Sequence, residues 1–174
     1  MRVLGVDPGS VVTGWGLLGG TPERPLLIES GVIRLGPSAS PFPERLHRLA
    51  TAFDDLVARL APSEAAVEAP FHGVNARTAL QLAHARGVLL ATLSGAGVPV
   101  IEYWPASVKV AVAGSGKADK AQVRAMVMRW LGLRVLAGPA DRTDALAVAL
   151  CHAASAGYMR AVSEPRRVRR RPRS

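Results

Sequence analysis

Cysteine is almost absent from this sequence, which has a single one, Cys151. One cysteine excludes an internal disulfide framework and a zinc cluster built within one chain. No basic leader followed by an apolar segment is present, and the longest apolar stretch, near 145–156, is too short to span a bilayer. We therefore expect a cytoplasmic protein whose 174 residues build one core without disulfides.

Acidic residues are missing from the end of the chain. Residues 165–174 hold six arginines and no acid, so the net charge of +9 falls to +3 over residues 1–164. We expect a domain spanning 1–158, followed by a basic, disordered tail at 159–174. A solubilising terminus or a membrane-surface contact is the alternative. Because no amphipathic helix accompanies the arginines, attraction to nucleic acid is favoured.

Apolar runs and turn residues predict an α/β domain. The expected strands lie at 2–7, 12–18, 26–35, 64–69 and 98–103. The expected helices lie at about 43–60, 75–94, 105–112, 119–131 and 141–156. Three meandering strands followed by strand–helix units indicate a mixed sheet covered by helices. The sequence has no internal repeat.

Acidic residues lie at or near the ends of several predicted elements: Asp7, Glu68, Asp141 and Asp144. Taken singly, each has a structural explanation as a turn residue, an edge-strand acid or a helix cap. Taken together, converging carboxylates would repel one another and raise each pKa unless a cation met them. Mg²⁺ and Mn²⁺ prefer such oxygen ligands, and two ions would suit phosphodiester hydrolysis.

Three segments resemble the RuvC family of Holliday junction resolvases: VDPGSVVTGWG, VEAPFHGVNARTALQLAHARG and ADRTDALAVA. The resemblance runs from the first strand to about residue 156. It implies an RNase H-like fold, with a five-stranded mixed sheet flanked by helices. It also implies a metal-dependent endodeoxyribonuclease of DNA recombination and repair, a homodimer that nicks a four-way junction symmetrically and works with the RuvA–RuvB complex.

Carried over position by position, the resemblance assigns the active site. It implies that metal is bound by Asp7, Glu68, Asp141 and Asp144, where the third position is a histidine in some family members. The metal would be Mg²⁺ or Mn²⁺, two ions per site. The resemblance further implies that Lys109 and Lys120 lie beside the active site, where lysine provides a point charge for the scissile phosphate.

The resemblance also suggests where DNA and a second subunit bind. Phe71 matches an aromatic residue that stacks on bases near the junction centre, a role suited to an exposed ring. We further expect Asn75, Arg77 and Lys117 to contact DNA. Small residues along helix 75–94 would let two helices approach closely, which makes this helix the candidate dimer interface.

Three other functions remain open at this point. A degenerate site would leave an inactive junction-binding protein, although all four acids are present. A sugar-kinase or actin-like ATPase would need a second phosphate loop and a second domain, for which the chain is too short. An RNase H-like nuclease could instead act on another branched or hybrid nucleic acid.

Overall fold

A five-stranded mixed sheet forms the centre of the computed structural model, which describes residues 1–69 and 75–163. The strands are β1 (Val3–Asp7), β2 (Val12–Gly20), β3 (Pro25–Arg34), β4 (Glu64–Glu68) and β5 (Val100–Tyr103). Their order across the sheet is β3-β2-β1-β4-β5. The first three are antiparallel neighbours, whereas β4 and β5 run parallel to β1. The predicted sheet is therefore confirmed, with β5 beginning at Val100 instead of residue 98.

Helices cover both faces of this sheet, as predicted. They are α1 (Phe42–Leu60), α2 (Ala76–Gly95), α3 (Pro105–Ala113), α4 (Lys120–Trp130) and α5 (Ala140–Ser163). One apolar core lies between the sheet and α1 with α2, and the other between the sheet and α3, α4 and α5. Among the described residues, no helix is both long and apolar enough to cross a membrane.

The end of α5 differs from its prediction. The helix continues to Ser163 rather than ending near residue 156, so residues 159–163 of the expected tail belong to it. The arginine-rich remainder, 164–174, lies outside the described residues, as does Phe71 in the segment 70–74. The tail and the stacking aromatic therefore stay predictions.

The alternation of side chains along β1 and β4 decides which face carries the acids. Val3 packs in the core beneath α5, whereas Leu4 and Val6 pack against α1 and α2. Since side chains two residues apart share a face, Asp7 lies on the α5 face. The same alternation on β4 places Glu68 with Ala66 on that face.

Two glycines let α5 approach the sheet closely. A Cβ at Gly5 would overlap the backbone of Ala145 and the side chain of Ala149. A Cβ at Gly14 would overlap the carbonyl of Asp141 at the start of the helix. Because Gly14 pairs directly with Asp7 across the β1–β2 ladder, this approach brings the first turn of α5 beside Asp7.

A polar cluster anchors α5 at its other half. His152 is 3% exposed. Its Nε2 lies 2.6 Å from Glu64 Oε2 on β4, and its Nδ1 lies 3.0 Å from Tyr103 Oη on β5. These contacts fix the helix against two strands, and thereby also fix the register of the acids in its first turns.

Candidate active site

Asp7 and Glu68 end two neighbouring parallel strands at the same edge of the sheet. The Asp7 carboxyl donates a hydrogen bond to the Glu68 carboxylate. Burial, followed by the nearby charge of Glu68, raises the pKa of Asp7 to about 9 from an ordinary value of 3.8. Burial also raises the pKa of Glu68, against the opposing effect of the hydrogen bond from Asp7. Ionisation of one of the two acids therefore disfavours ionisation of the other.

The first two turns of α5 bring two more acids to this edge. The charges of Asp144 and Asp141 both raise the pKa of Asp7, in that order of size. Asp144 faces the cleft in front of Glu68, while Asp141 lies at the helix start beside Gly14. The other three predicted acids thus all act electrostatically on Asp7.

Two lysines and two of the four acids line one cleft of about 340 Å³. The cleft is lined by Glu68, Pro105, Val108, Lys109, Lys120, Val123, Asp144 and Ala147. Lys109 comes from α3 and Lys120 from the start of α4, where Asp119 forms a capping box with Gln122. Lys120 Nζ lies 3.3 Å from Asp144 Oδ2, and this carboxylate raises the pKa of the lysine.

The four carboxylates are better explained as ligands of a divalent cation than as a cluster of acids without a cation. Carboxylate oxygens are the ligands that Mg²⁺ and Mn²⁺ prefer, and a buried acid with a pKa near 9 lacks a compensating cation. Within the described ranges, however, no three Asp, Glu, His or Cys side chains are arranged so as to hold a metal ion as they stand.

The other predicted DNA contacts lie outside the cleft lining. Asn75 caps α2, with Oδ1 accepting from the backbone N–H groups of Arg77 at 3.0 Å and Thr78 at 3.3 Å. Arg77 is exposed in the first turn of α2. Lys117 is exposed before α4 and lines a separate depression with Ser115 and Gln122. None of these three residues lines the cleft, so their contacts with DNA stay predictions.

A residue that the sequence analysis missed supports the turn after Asp7. Arg45 in the first turn of α1 is 3% exposed, and its Nη1 donates to the Ser10 carbonyl at 2.6 Å. From the other side, Thr13 Oγ1 accepts from Gly9 N–H at 3.3 Å and donates to its carbonyl at 3.2 Å. A signal was available, because Arg45 precedes Leu49 by one turn and thus lies on the apolar face of α1.

Comparison with known proteins identifies the family of this chain. The model of the family "Crossover junction endodeoxyribonuclease RuvC" matches residues 3–152. The RuvC of Chloroflexus aurantiacus is 47% identical over 156 residues, which covers 90% of this chain and 94% of the relative. The RuvC of Halorhodospira halophila is 50% identical over 154 residues, covering 87% of this chain and 89% of the relative.

Solved structures give the same result. Thermus thermophilus RuvC in complex with Holliday junction substrate superposes with a TM-score of 0.85 at 34% identity, covering 91% of this chain and 96% of that one. The yeast mitochondrial resolvase Ydc2, 15% identical with a TM-score of 0.70 over 92% of this chain and 80% of that one, shares the fold. The RNase H-like fold implied by the sequence is confirmed. The chain belongs to the RuvC family of crossover junction endodeoxyribonucleases.

Proposed function

We propose that Asp7, Glu68, Asp141 and Asp144 form the metal-binding active site with which this crossover junction endodeoxyribonuclease cleaves a four-way DNA junction. The observation that carries the proposal is the pKa of Asp7, raised to about 9 by burial and by the three neighbouring acids. A cluster of this kind is costly for folding, and a bound cation would offset the repulsion between its carboxylates.

Nucleases of this family are metal-dependent. We propose two ions of Mg²⁺ or Mn²⁺ for this chain, since four carboxylates supply enough hard oxygen ligands for a pair. When bound, such ions lower the pKa of an attacking water and offset charge on the scissile phosphate. Asp7 and Glu68 must then give up their shared proton, which makes binding of the ions favourable at higher pH.

Lys109 and Lys120 would hold the scissile phosphate in the cleft that they line together with Glu68 and Asp144. Each contributes one positive charge to a phosphodiester that gains negative charge during in-line attack. The side chain of Lys120 is 80% exposed, so its ion pair with Asp144 contributes little to stability. Lys120 is therefore free to exchange Asp144 for the phosphate when DNA enters.

The surrounding surface supplies the proposed contacts to the junction. The protein from Thermus thermophilus is described in complex with a Holliday junction, and we extend that substrate to this chain. We propose that Phe71, Asn75, Arg77 and Lys117 contact the junction. Phe71 rests on the resemblance alone, whereas Arg77 and Lys117 are exposed and add positive charge for backbone phosphates. Cooperation with a RuvA–RuvB complex rests on the resemblance alone.

A homodimer formed through α2 would match the two-fold symmetry of the substrate. On this helix Leu80 is 61% exposed and Ala83 is exposed beside it. A Cβ at Gly87 would meet nothing within 4 Å. An exposed leucine within a row of small residues supports close packing of a second copy, which would set two active sites against two strands.

The decisive experiment is a cleavage assay with a synthetic four-way junction, a matched duplex and an RNA–DNA hybrid. Asp7→Asn should reduce junction cleavage by about 1,000-fold with either metal, because removal of one ligand disrupts the site. Junction binding, measured in Ca²⁺ or EDTA, should remain within about twofold. Asp55→Asn, at an exposed position of α1, serves as the matched control.

Cleavage by Asp7→Asn at a near wild-type rate would reject the assignment of the metal site. Preferential cleavage of the hybrid by the wild-type protein would reject the junction as substrate, and would favour another RNase H-like activity. Tight junction binding without cleavage at any metal concentration would indicate an inactive binding protein.

A further inference from the structure

A second, smaller cavity of about 160 Å³ adjoins the main cleft. It is lined by Lys120, Ala121, Arg124, Ala140, Thr143 and Asp144. Two of these residues, Lys120 and Asp144, also line the main cleft. The ion pair between them therefore lies between the two neighbouring spaces.

The small cavity carries more cationic than anionic charge. Helix α4 presents Lys120 and Arg124 one turn apart on the same face, with about 6 Å of axial rise between them. The acid in the lining, Asp144, is already paired with Lys120. Arg124 therefore contributes a positive charge that no carboxylate among the described residues neutralises within 4 Å.

The hydrogen bonds of Arg124 leave donors available. Its Nη1 donates to Thr143 Oγ1 at 3.4 Å, and its Nη2 donates to the Leu136 carbonyl. A guanidinium has five N–H groups, so these two contacts hold its plane in place without using all its donors. Thr143 is 4% exposed and accepts from Arg124, which leaves its own O–H to donate.

A fixed guanidinium, a hydroxyl donor and an ammonium group together recognise a tetrahedral oxyanion. We propose that Arg124 and Thr143, with Lys120 at their border, bind the backbone phosphate next to the scissile one on the cleaved strand. This subsite rests on the proposed function, because the main cleft must hold the scissile phosphate for the adjoining cavity to hold its neighbour. It would set the register of the strand, so that one particular phosphodiester faces the four acids.

The test combines a protein change with a DNA change. Two junctions carry an uncharged methylphosphonate in place of one or the other phosphate that flanks the scissile one. With the wild-type protein, one of the two substitutions should lower kcat/KM by about 10- to 100-fold, the range expected for a lost charge-assisted hydrogen bond. Arg124→Gln should cause a similar loss on the unmodified junction.

The two changes should not add. On the sensitive methylphosphonate junction, Arg124→Gln should cost less than about twofold beyond the loss already present, because protein and DNA changes remove the same contact. Arg124→Lys, which keeps the charge but not the fork, should recover part of the rate. The slope of log binding constant against log salt should decrease by about one for Arg124→Gln.

Arg24→Gln is the matched control, because it removes the same charge at an exposed position in the β2–β3 turn, at the far end of the sheet. Full additivity at both flanking positions would overturn the subsite and leave Arg124 as a support for the Leu136 loop. Thermal unfolding identifies a merely structural effect, which would lower the melting temperature without coupling to the DNA change. The outcome is independent of Asp7→Asn, which tests the active site itself.

Discussion

Among single residues, Asp7 has the environment least favourable to its own charge. Its folded-state pKa of about 9 lies above the ordinary value of 3.8, so the folded protein holds this proton more tightly than the unfolded chain does. The contribution of Asp7 to stability is therefore complete below about pH 4 and is lost as the pH rises towards 9. Glu68, whose pKa is also raised, acts in the same direction.

We predict that Asp7→Asn stabilises the metal-free protein at pH 8. Asparagine carries no charge and still donates to Glu68, so folding at pH 8 no longer requires the uptake of a proton at this position. The melting temperature in EDTA should rise by several degrees, since each kcal/mol corresponds to about 2–4 °C in a chain of this length. The gain should vanish near pH 4, and scanning calorimetry across this range measures both.

The same melting temperatures should also be measured with Mg²⁺ in place of EDTA. Mg²⁺ should raise the melting temperature of the wild-type protein and leave that of Asp7→Asn nearly unchanged, because binding to the folded state stabilises it. Asp55→Asn should behave like the wild-type protein in both conditions. A lower melting temperature for Asp7→Asn in EDTA at pH 8 would contradict the proposed strain at this carboxyl.

At the scale of elements, the turn between β1 and β2 is held by a buried cation. Arg45 lies over the Phe42 ring, 5.1 Å from its centroid, and donates to the Ser10 carbonyl. Its Nε atom is buried and has no hydrogen-bond partner among the described residues. Burial of a guanidinium with so few partners costs several kcal/mol, so an apolar residue would suit the core of α1 better.

We predict that Arg45→Met lowers the cleavage rate more than it lowers stability. Methionine fills the space but leaves the Ser10 carbonyl unpaired, so the turn that follows Asp7 loses one support. The kcat should fall roughly tenfold at saturating junction, with KM almost unchanged, because a displaced carboxylate weakens transition-state interactions. Arg45→Lys should recover part of the rate. An unchanged kcat for Arg45→Met would limit Arg45 to packing.

The elements that could be predicted from the sequence are those with a local signal. Apolar runs indicate β1 and β4, and strand alternation places Asp7 and Glu68 on one face. The contacts of Arg45 with Ser10 and of Arg124 with Leu136 could not be predicted, because both acceptors are backbone carbonyls. Backbone carbonyls occur at every residue, so the sequence carries no pairing signal for them.

The approach of α5 to the sheet also depends on tertiary geometry. Gly14 reads as an ordinary strand glycine, yet its missing side chain leaves room for the Asp141 carbonyl. The predicted end of α5 was wrong for a different reason. Gly157 resembles a helix-ending glycine, but the helix passes through it and ends at Ser163, two residues before Pro165.

At the scale of the whole molecule, one face of α2 is exposed and includes a large apolar side chain. Leu80 presents 61% of its surface to solvent on a helix that also exposes Ala83 and Gly87. The opposite face of this helix buries Ala85, Leu89 and Leu93 in its own core. The two faces are thus separate, so a change at Leu80 tests association without disturbing the fold.

We predict that Leu80→Glu converts a dimer into monomers. Two symmetry-related carboxylates would be buried against each other, which costs several kcal/mol and is not compensated by any pairing. Analytical ultracentrifugation should show half the wild-type mass at micromolar concentration, while the melting curve of the monomer stays cooperative. Val135→Glu, at a position that is 75% exposed near the start of α5, is the control and should remain dimeric.

The Leu80→Glu monomer should also nick single strands without paired cuts, because its active site meets the junction alone. A dimer that survives Leu80→Glu would exclude α2 as the interface and place the two-fold axis elsewhere on the surface.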